Sequence, residues 1–206
     1  MTASKNILVV APHCDDAELG SGGTIARYVE EGHSVHVVAL SDCRDSIPAG
    51  LPSDVLRGEA RAAGSVLGAT VAVYDFAVRT FPEKRQDILD YLHMLGTTIK
   101  PDLVICPAPS DFHQDHLTVS LECLRAFKCS IWATVLPWNT LRSNVNGFVR
   151  LEERHIEKKV EALSKYASQS HRAYMDPVTV ISWARTDGLQ CGAKYAEKFE
   201  VLREIN

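Results

Sequence analysis

NILVVAPHCDDAELGSGGTIARYVEEGHSVHVVALS, residues 6–41, holds two apolar runs separated by one helix-length stretch. The first run, NILVVA, is continuous and rich in β-branched residues, the pattern of a strand buried on both faces. GGTIARYVEEGH has helical spacing, with Ile25, Ala26 and Val29 on one face and Gly32 as terminator. SVHVVALS reads as a second strand. Strand, helix, strand in about 35 residues is a βαβ unit, which requires a parallel pair and a right-handed crossover. Between the first strand and the helix stands a polar insert, PHCDDAEL, followed by the glycines of GSGG.

The alternation continues outward from this unit. PSDVLRGEARAAGSVLG predicts a helix capped by Ser53 or Asp54 and closed by Gly68, and ATVAVYDF a third strand. Residues 83–99 predict a third helix, PDLVICPAP a fourth strand and QDHLTVSLECLRAFK a fourth helix. The second half is less regular. CSIWATVLPW and GFVRLE read as strands, EERHIEKKVEALSKYASQ as a helix, and CGAKYAEKFEVLREI fits either type. The pattern predicts an α/β fold, a Rossmann-like, doubly wound, mostly parallel sheet with helices on both faces. No repeat, low-complexity tract or linker divides residues 1–206, so a single domain is expected.

Composition narrows the function classes. The 206 residues are 46% hydrophobic and 23% charged, with net charge −4. That balance argues against disorder and gives no support for a nucleic-acid partner, which demands a basic face. MTASKNILVVAPH is too short in apolar residues for a signal-peptide core or a transmembrane segment. The six cysteines show no C-x-x-C pair and no secreted-scaffold density, which predicts free thiols and a cytoplasmic protein. A homo-oligomer is compatible with this composition.

In an open parallel sheet, ligands bind beyond the carboxyl ends of the strands, where strand order reverses. His13, Asp15, Asp16 and Glu18 follow the first strand and therefore project there. Imidazole and carboxylate suit a cation such as Zn2+. Adjacent aspartates diverge, so one can bind metal while the other faces water as a general base. Other readings compete. Asp15 or Asp16 could cap the helix. GSGG could be a phosphate loop with Asp42 on a ribose, although a carboxylate pair stands where pyrophosphate would lie.

A second cluster, Asp111, His113, Asp115 and His116 in SDFHQDHLTVS, follows the fourth strand. If strand order reverses after the first strand, strands one and four are neighbours, and the two clusters meet in one crevice. Three protein ligands with an open fourth position mark a catalytic zinc. His116 could complete such a His–Asp–His set, with His113 near substrate and Asp115 placed to hold its imidazole. The bland alternative is a set of solvated capping residues.

PHCDDAELGSGGTIA resembles the HPDD signature of the LmbE-like/PIG-L family of zinc-dependent N-acetylglucosaminyl deacetylases, and DFHQDH resembles that family's second histidine motif. Weaker echoes run through RGEARAAGSVLG, KKVEALSKYASQ and KYAEKF, in order along nearly the whole chain. The resemblance implies metal ligation by His13, Asp16 and His116, with Zn2+ as cofactor or another divalent ion such as Fe2+. It implies Asp15 as general base. It implies that His113, oriented by Asp115, stabilises the oxyanion and protonates the leaving amine. Arg57 matches an arginine that contacts substrate in some members. The implied reaction removes the N-acetyl group from an N-acetylated amino sugar or glycoconjugate. Cys14 departs from the family's usual proline. Trp132, Trp138, Arg142, His171, Arg172, Tyr174 and Trp183 are candidates for the wall facing the aglycone. A nucleotide-binding enzyme and a non-catalytic carbohydrate-binding domain are the alternatives from other classes.

Overall fold

The first apolar run forms β1 (Asn6–Ala11), and five of its six residues are buried. Residues 4–205 are described by a computed structural model. β1 is buried on both faces because the sheet is covered on both. Ile7, Val9 and Ala11 belong to one apolar layer, Leu8 and Val10 to the other. Such a strand needs no polar alternation, which is why its sequence has none.

Seven strands form one sheet: β1, β2 (Ser34–Ala39), β3 (Thr70–Val73), β4 (Leu103–Pro107), β5 (Ser130–Thr134), β6 (Gly147–Leu151) and β7 (Tyr195–Arg203). The order across the sheet is β3-β2-β1-β4-β5-β7-β6. The first five strands run parallel. β7 is antiparallel to both β5 and β6. The order reverses between β1 and β4, as the doubly wound pattern predicts, and Ile7 stands in register with Leu103. The loops after β1 and β4 therefore leave the same edge side by side.

Helices α1 (Asp16–Glu30), α2 (Val55–Leu67), α5 (Glu153–Leu163) and α6 (Pro177–Cys191) supply one layer, through Ile25, Leu56, Ala63, Leu67, Ile156, Leu163 and Val180. Helices α3 (Arg85–Ile99) and α4 (Gln114–Ala126) supply the other, through Ile88, Leu92, Val119 and Cys123. No helix among the described residues is long and apolar enough to cross a membrane.

Three features differ from the reading of the sequence. α1 begins at Asp16, so Asp16 and Glu18 of the polar insert occupy its first turn, with Asp15 at the N-cap position, rather than a loop before it. The ambiguous C-terminal stretch is strand β7. Residues 177–191, to which the sequence pattern assigns no element, form α6, which starts at Asp176 accepting from the Thr179 amide and Pro177 at the first helical position.

α1 is also broken in the middle. Ser21 has φ −147° and ψ 18°, and its hydroxyl donates to the Ala17 carbonyl. The polar groups around this break are met from outside the helix. Glu197 of β7 accepts from the amides of Gly23 and Thr24 at 3.0 and 2.7 Å. Lys159 of α5 donates to the Leu19 carbonyl at 2.8 Å and to Glu197 at 2.6 Å. The pair is buried, and its charges are tolerable because they face each other and the freed backbone groups of the helix. Gly20 lets the helix lie against the sheet, since a Cβ there would stand 2.8 Å from the Thr134 side chain.

Candidate metal centre

β1 ends at Ala11, and the chain turns through Pro12 to present His13. α1 then starts so abruptly that Asp15 is its N-cap position and Asp16 its first residue. Neither acid caps the helix with its side chain. The Asp15 carboxylate accepts no hydrogen bond from another residue among those described, although its backbone carbonyl accepts from the Leu19 amide at 3.1 Å. Asp16 turns back, its Oδ2 accepting from the His13 amide at 3.0 Å. On the neighbouring loop, Asp111 accepts from the His113 amide at 2.9 Å. His113 caps α4, its Nδ1 accepting from the Asp115 amide.

These two helix starts bring three donor atoms together. Asp16 Oδ2 lies 3.0 Å from His13 Nδ1 and 3.2 Å from His116 Nε2, and the two imidazole nitrogens are 3.2 Å apart. Donors bonded tetrahedrally to one ion at ~2.0–2.1 Å stand about 3.3 Å from one another, so the triangle fits a single divalent cation. The far nitrogens of both rings face carboxylates. His13 Nε2 lies 3.1 Å from Asp115 Oδ2 and His116 Nδ1 2.8 Å from Asp111 Oδ2. A proton on each of those nitrogens leaves the lone pairs of the others directed at Asp16, the arrangement in which a carboxylate orients a metal-ligating histidine.

Electrostatics agree with a cation site. Burial would lower both imidazoles, yet the Asp16 charge and the facing carboxylates raise His13 well above its usual value and push His116 up to about 9. With no cation between them, two imidazolium rings would crowd one carboxylate. A divalent cation held there would replace that excess of protons. Asp15 stands apart: burial, then the charge of Asp16, pushes its carboxyl up to about 6. His113 moves the other way, lowered by burial and by His13 and His116. Its Nδ1 accepts from the Asp115 amide, which leaves the ring neutral with its proton on Nε2. Ring nitrogens of His13, His113 and His116 all fall within 4.8 Å of one another, so His113 borders the same space.

A cavity of about 300 Å3 opens over the donors. Its walls include Asp15, His113, Arg79, Trp138, Arg172 and Tyr174. Trp138 and Tyr174 are stacked, centroids 4.5 Å apart. Of the other wall candidates, Trp132 donates to Glu204 and Trp183 packs edge-on behind Trp138. Arg142 and His171 are exposed and away from the cavity.

Two residues stand otherwise than the sequence suggests. The Asp115 carboxylate does not hold His113. It is fully buried and accepts from the amides of Arg79 and Phe81 as well as facing His13. Residues two apart on a helix start point in different directions, so 113 and 115 diverge. Arg57 does not line the cavity. Its guanidinium is consumed by Asp42 Oδ2 at 3.0 Å, the Val73 carbonyl at 2.7 Å and the Tyr74 carbonyl, tying the ends of β2 and β3 together. Asp42, a ribose ligand in the nucleotide reading, is thereby occupied. Cys14 points away from the donors, its thiol on the Ser41 carbonyl at 3.3 Å. Arg79 and Asn139 are site residues to which the sequence pattern assigns no role. Asp111 lies inside the second motif, but which acid serves which imidazole is a matter of packing.

The GlcNAc-PI de-N-acetylase (PIG-L) family model matches residues 8–127, a span that holds every donor and orienting carboxylate described above. A 4-oxalmesaconate hydratase of Pseudomonas putida is 32% identical over 127 residues, 56% of this chain and 48% of that protein. The chain thus aligns with about half the length of this curated relative. Among solved structures, the conserved protein TT1542 from Thermus thermophilus has a TM-score of 0.82 at 24% identity, covering 98% of this chain and 96% of that one. An N,N'-diacetylchitobiose deacetylase from Pyrococcus horikoshii has a TM-score of 0.79 at 20% identity, covering 97% and 84%. These two likenesses concern the fold. With both histidine–aspartate motifs inside the matched span, the chain belongs to the PIG-L, or LmbE-like, family of enzymes.

Proposed function

We propose that the protein is a metal-dependent N-deacetylase that hydrolyses the acetamide of an N-acetylglucosamine-type sugar or glycoconjugate. The observation that carries this reading is the triangle of His13, Asp16 and His116 donor atoms with the uncommitted carboxylate of Asp15 beside it. His13, Asp16 and His116 would hold the cation, Zn2+ or another divalent ion such as Fe2+, since imidazole and carboxylate suit several metals. Such an ion supplies a Lewis acid that polarises the acetyl carbonyl and acidifies water toward pKa ~7.

The chain's own groups handle the protons. Asp15, ionised near neutral pH, takes one proton from the attacking water, whose oxygen bonds to the acetyl carbon. His113 keeps its Nδ1 on the Asp115 amide and offers its Nε2 proton as a hydrogen bond to the oxyanion. Because His113 is neutral, Asp15 is the group with a proton to give. It passes that proton to the amine nitrogen as the C–N bond breaks, leaving acetic acid and a free amine. Asp15 thus serves first as base and then as acid, while His113 remains a hydrogen-bond donor.

Zinc-loaded protein incubated with N-acetylglucosaminyl compounds is expected to release primary amine and acetate in equal amounts. Asp15→Asn should lower kcat by at least 10^2-fold, the low end of a general acid–base contribution of ~10^2–10^4, with one metal per chain retained. His113→Ala should also keep the metal and lose most turnover. An Asp15→Asn variant of undiminished rate would refute the assignment. The identity with a hydratase favours one second reading, addition of water across a carbon–carbon double bond conjugated to a carboxylate. That activity would appear as loss of the conjugated chromophore of an unsaturated dicarboxylate, with no amine released.

A further inference from the structure

Two arginines line the cavity, and neither lies within ion-pair distance of a carboxylate among the described residues. Arg172 gives its Nε to the Gln169 side-chain oxygen at 2.7 Å, and its guanidinium carbon stands 5.8 Å from the Tyr174 ring centre. Tyr174 is itself stacked on Trp138. The head group is thus held against an aromatic wall, beside the Tyr174 hydroxyl, with no carboxylate partner among the described residues. Arg79 reaches the same cavity from the loop between β3 and α3. Its backbone is left-handed, φ +68°, as are those of Cys43 and Lys100, a conformation unfavourable for residues that carry a Cβ. The strain secures two things at once. The Arg79 amide donates to Asp115 at 2.6 Å, steadying the carboxylate that faces His13, and the side chain is left free beside the donors.

Several arginines elsewhere in the fold are spent on carboxylates, while Arg61, Arg142, Arg150, Arg185 and Arg203, which also lack one among the described residues, lie outside the cavity. Arg44 and Arg57 share Asp42, Arg85 and Arg125 share Glu122, and Arg154 pairs with Glu30. Arg172 is half-buried and Arg79 exposed at the cavity's mouth; a guanidinium at such a place can be completed by an anion from outside, its forked donors matching carboxylate or phosphate oxygens two at a time.

We infer that the substrate is an anion whose carboxylate or phosphate group is bound by Arg79 and Arg172. This rests on the cavity being the catalytic one proposed above and specifies what enters it. A neutral N-acetylated sugar would leave both guanidinium groups unpaired. A glycoconjugate with an acidic aglycone satisfies them, and so does an unsaturated di- or tricarboxylate.

The test reads binding apart from turnover. Zinc-loaded protein is titrated calorimetrically with succinate, with inorganic phosphate and with neutral succinamide. The expected result is binding of at least one anion, weakening as salt rises, and none of succinamide. Arg79→Gln and Arg172→Gln should each weaken that anion tenfold or more at unchanged metal content. Arg79→Lys, which keeps the charge, should recover part of the loss and so separates anion binding from disturbance of the left-handed turn. Whichever anion binds more tightly identifies carboxylate or phosphate as the group recognised. No anion binding, or equal binding in the Arg79→Gln/Arg172→Gln double variant, would overturn the inference. Anion binding without hydrolysis of any acetamide would instead reject the deacetylase reading and leave this one standing. Among substrates, N-acetylmuramic acid or N-acetylglucosamine 1-phosphate should exceed N-acetylglucosamine in kcat/KM by tenfold or more. Equal values in wild type and double variant would count against the arginines.

Discussion

Asp111 and Asp115 each fix one imidazole so that its free nitrogen meets Asp16, and neither reaches the donor triangle itself. Substituting such an outer carboxylate by its amide keeps the shape but weakens the hold on the ring's proton, typically lowering metal affinity 10–100-fold. Asp111→Asn is therefore expected to weaken Zn2+ binding by about that factor, measured by competition with a chromophoric chelator. Turnover at saturating metal should change far less. The ligating types were legible in the two motifs, because His and Asp in a loop after a parallel strand have few structural reasons to cluster. The pairing of each carboxylate with its ring was not. Asp115 lies two residues from His113 and one from His116 in sequence, yet it serves His13, 102 positions away, because the first turn of α4 faces the loop after β1. Arg79 was equally hidden, since an arginine in a polar turn carries no mark of its backbone conformation.

At the scale of elements, the position of the donors depends on how closely α1 lies on the sheet. Gly20 meets Thr134 of β5, a β-branched buried side chain with little freedom to move aside. Gly20→Ala gains about 1 kcal/mol in helix propensity but forces overpacking of about 1–3 kcal/mol. Net destabilisation of up to about 2 kcal/mol follows, seen as a melting temperature lower by a few degrees. Metal affinity should fall as well, because Asp16 rides on the displaced turn. The glycines of GSGG could be read as close-approach residues from sequence. The break at Ser21 and its repair by Lys159 and Glu197 could not, as they join residues more than 130 positions apart. The same pairing explains why β7 was ambiguous. YAEKFEVLR carries Glu197 and Glu200 in buried positions, so polar residues fall where a strand's inner face should be apolar. The alternation that identifies half-buried strands is lost.

Across the whole molecule, the carboxyl edge of the sheet concentrates charge, and its stability should follow pH accordingly. Burial of Asp42 would raise its carboxyl, but hydrogen bonds and charge from Arg44 and Arg57 outweigh burial and hold it below the usual carboxylate value. A depressed folded-state value means that Asp42 contributes stability above the unfolded-state range. That contribution is lost as pH falls through the folded-state value beneath it. The melting temperature of wild type should drop on going from pH 6 to pH 3, and Asp42→Asn should start lower and drop less. The curves would coincide if the cluster of Asp42, Arg44 and Arg57 were energetically idle.

The walls of the cavity also divide along the chain. His13, Asp15, Asp16, Arg79, His113 and His116 come from the first 116 residues, whereas Trp138, Asn139, Gln169, Arg172 and Tyr174 come from the remainder. The matched family pattern stops at residue 127, so the clustered donor atoms and most of the facing cavity wall fall on opposite sides of that boundary. Mutation can then reshape one wall while the reactive groups stay in register. Such a division is a physical route by which one scaffold can carry different substrates over the same cluster of donor atoms.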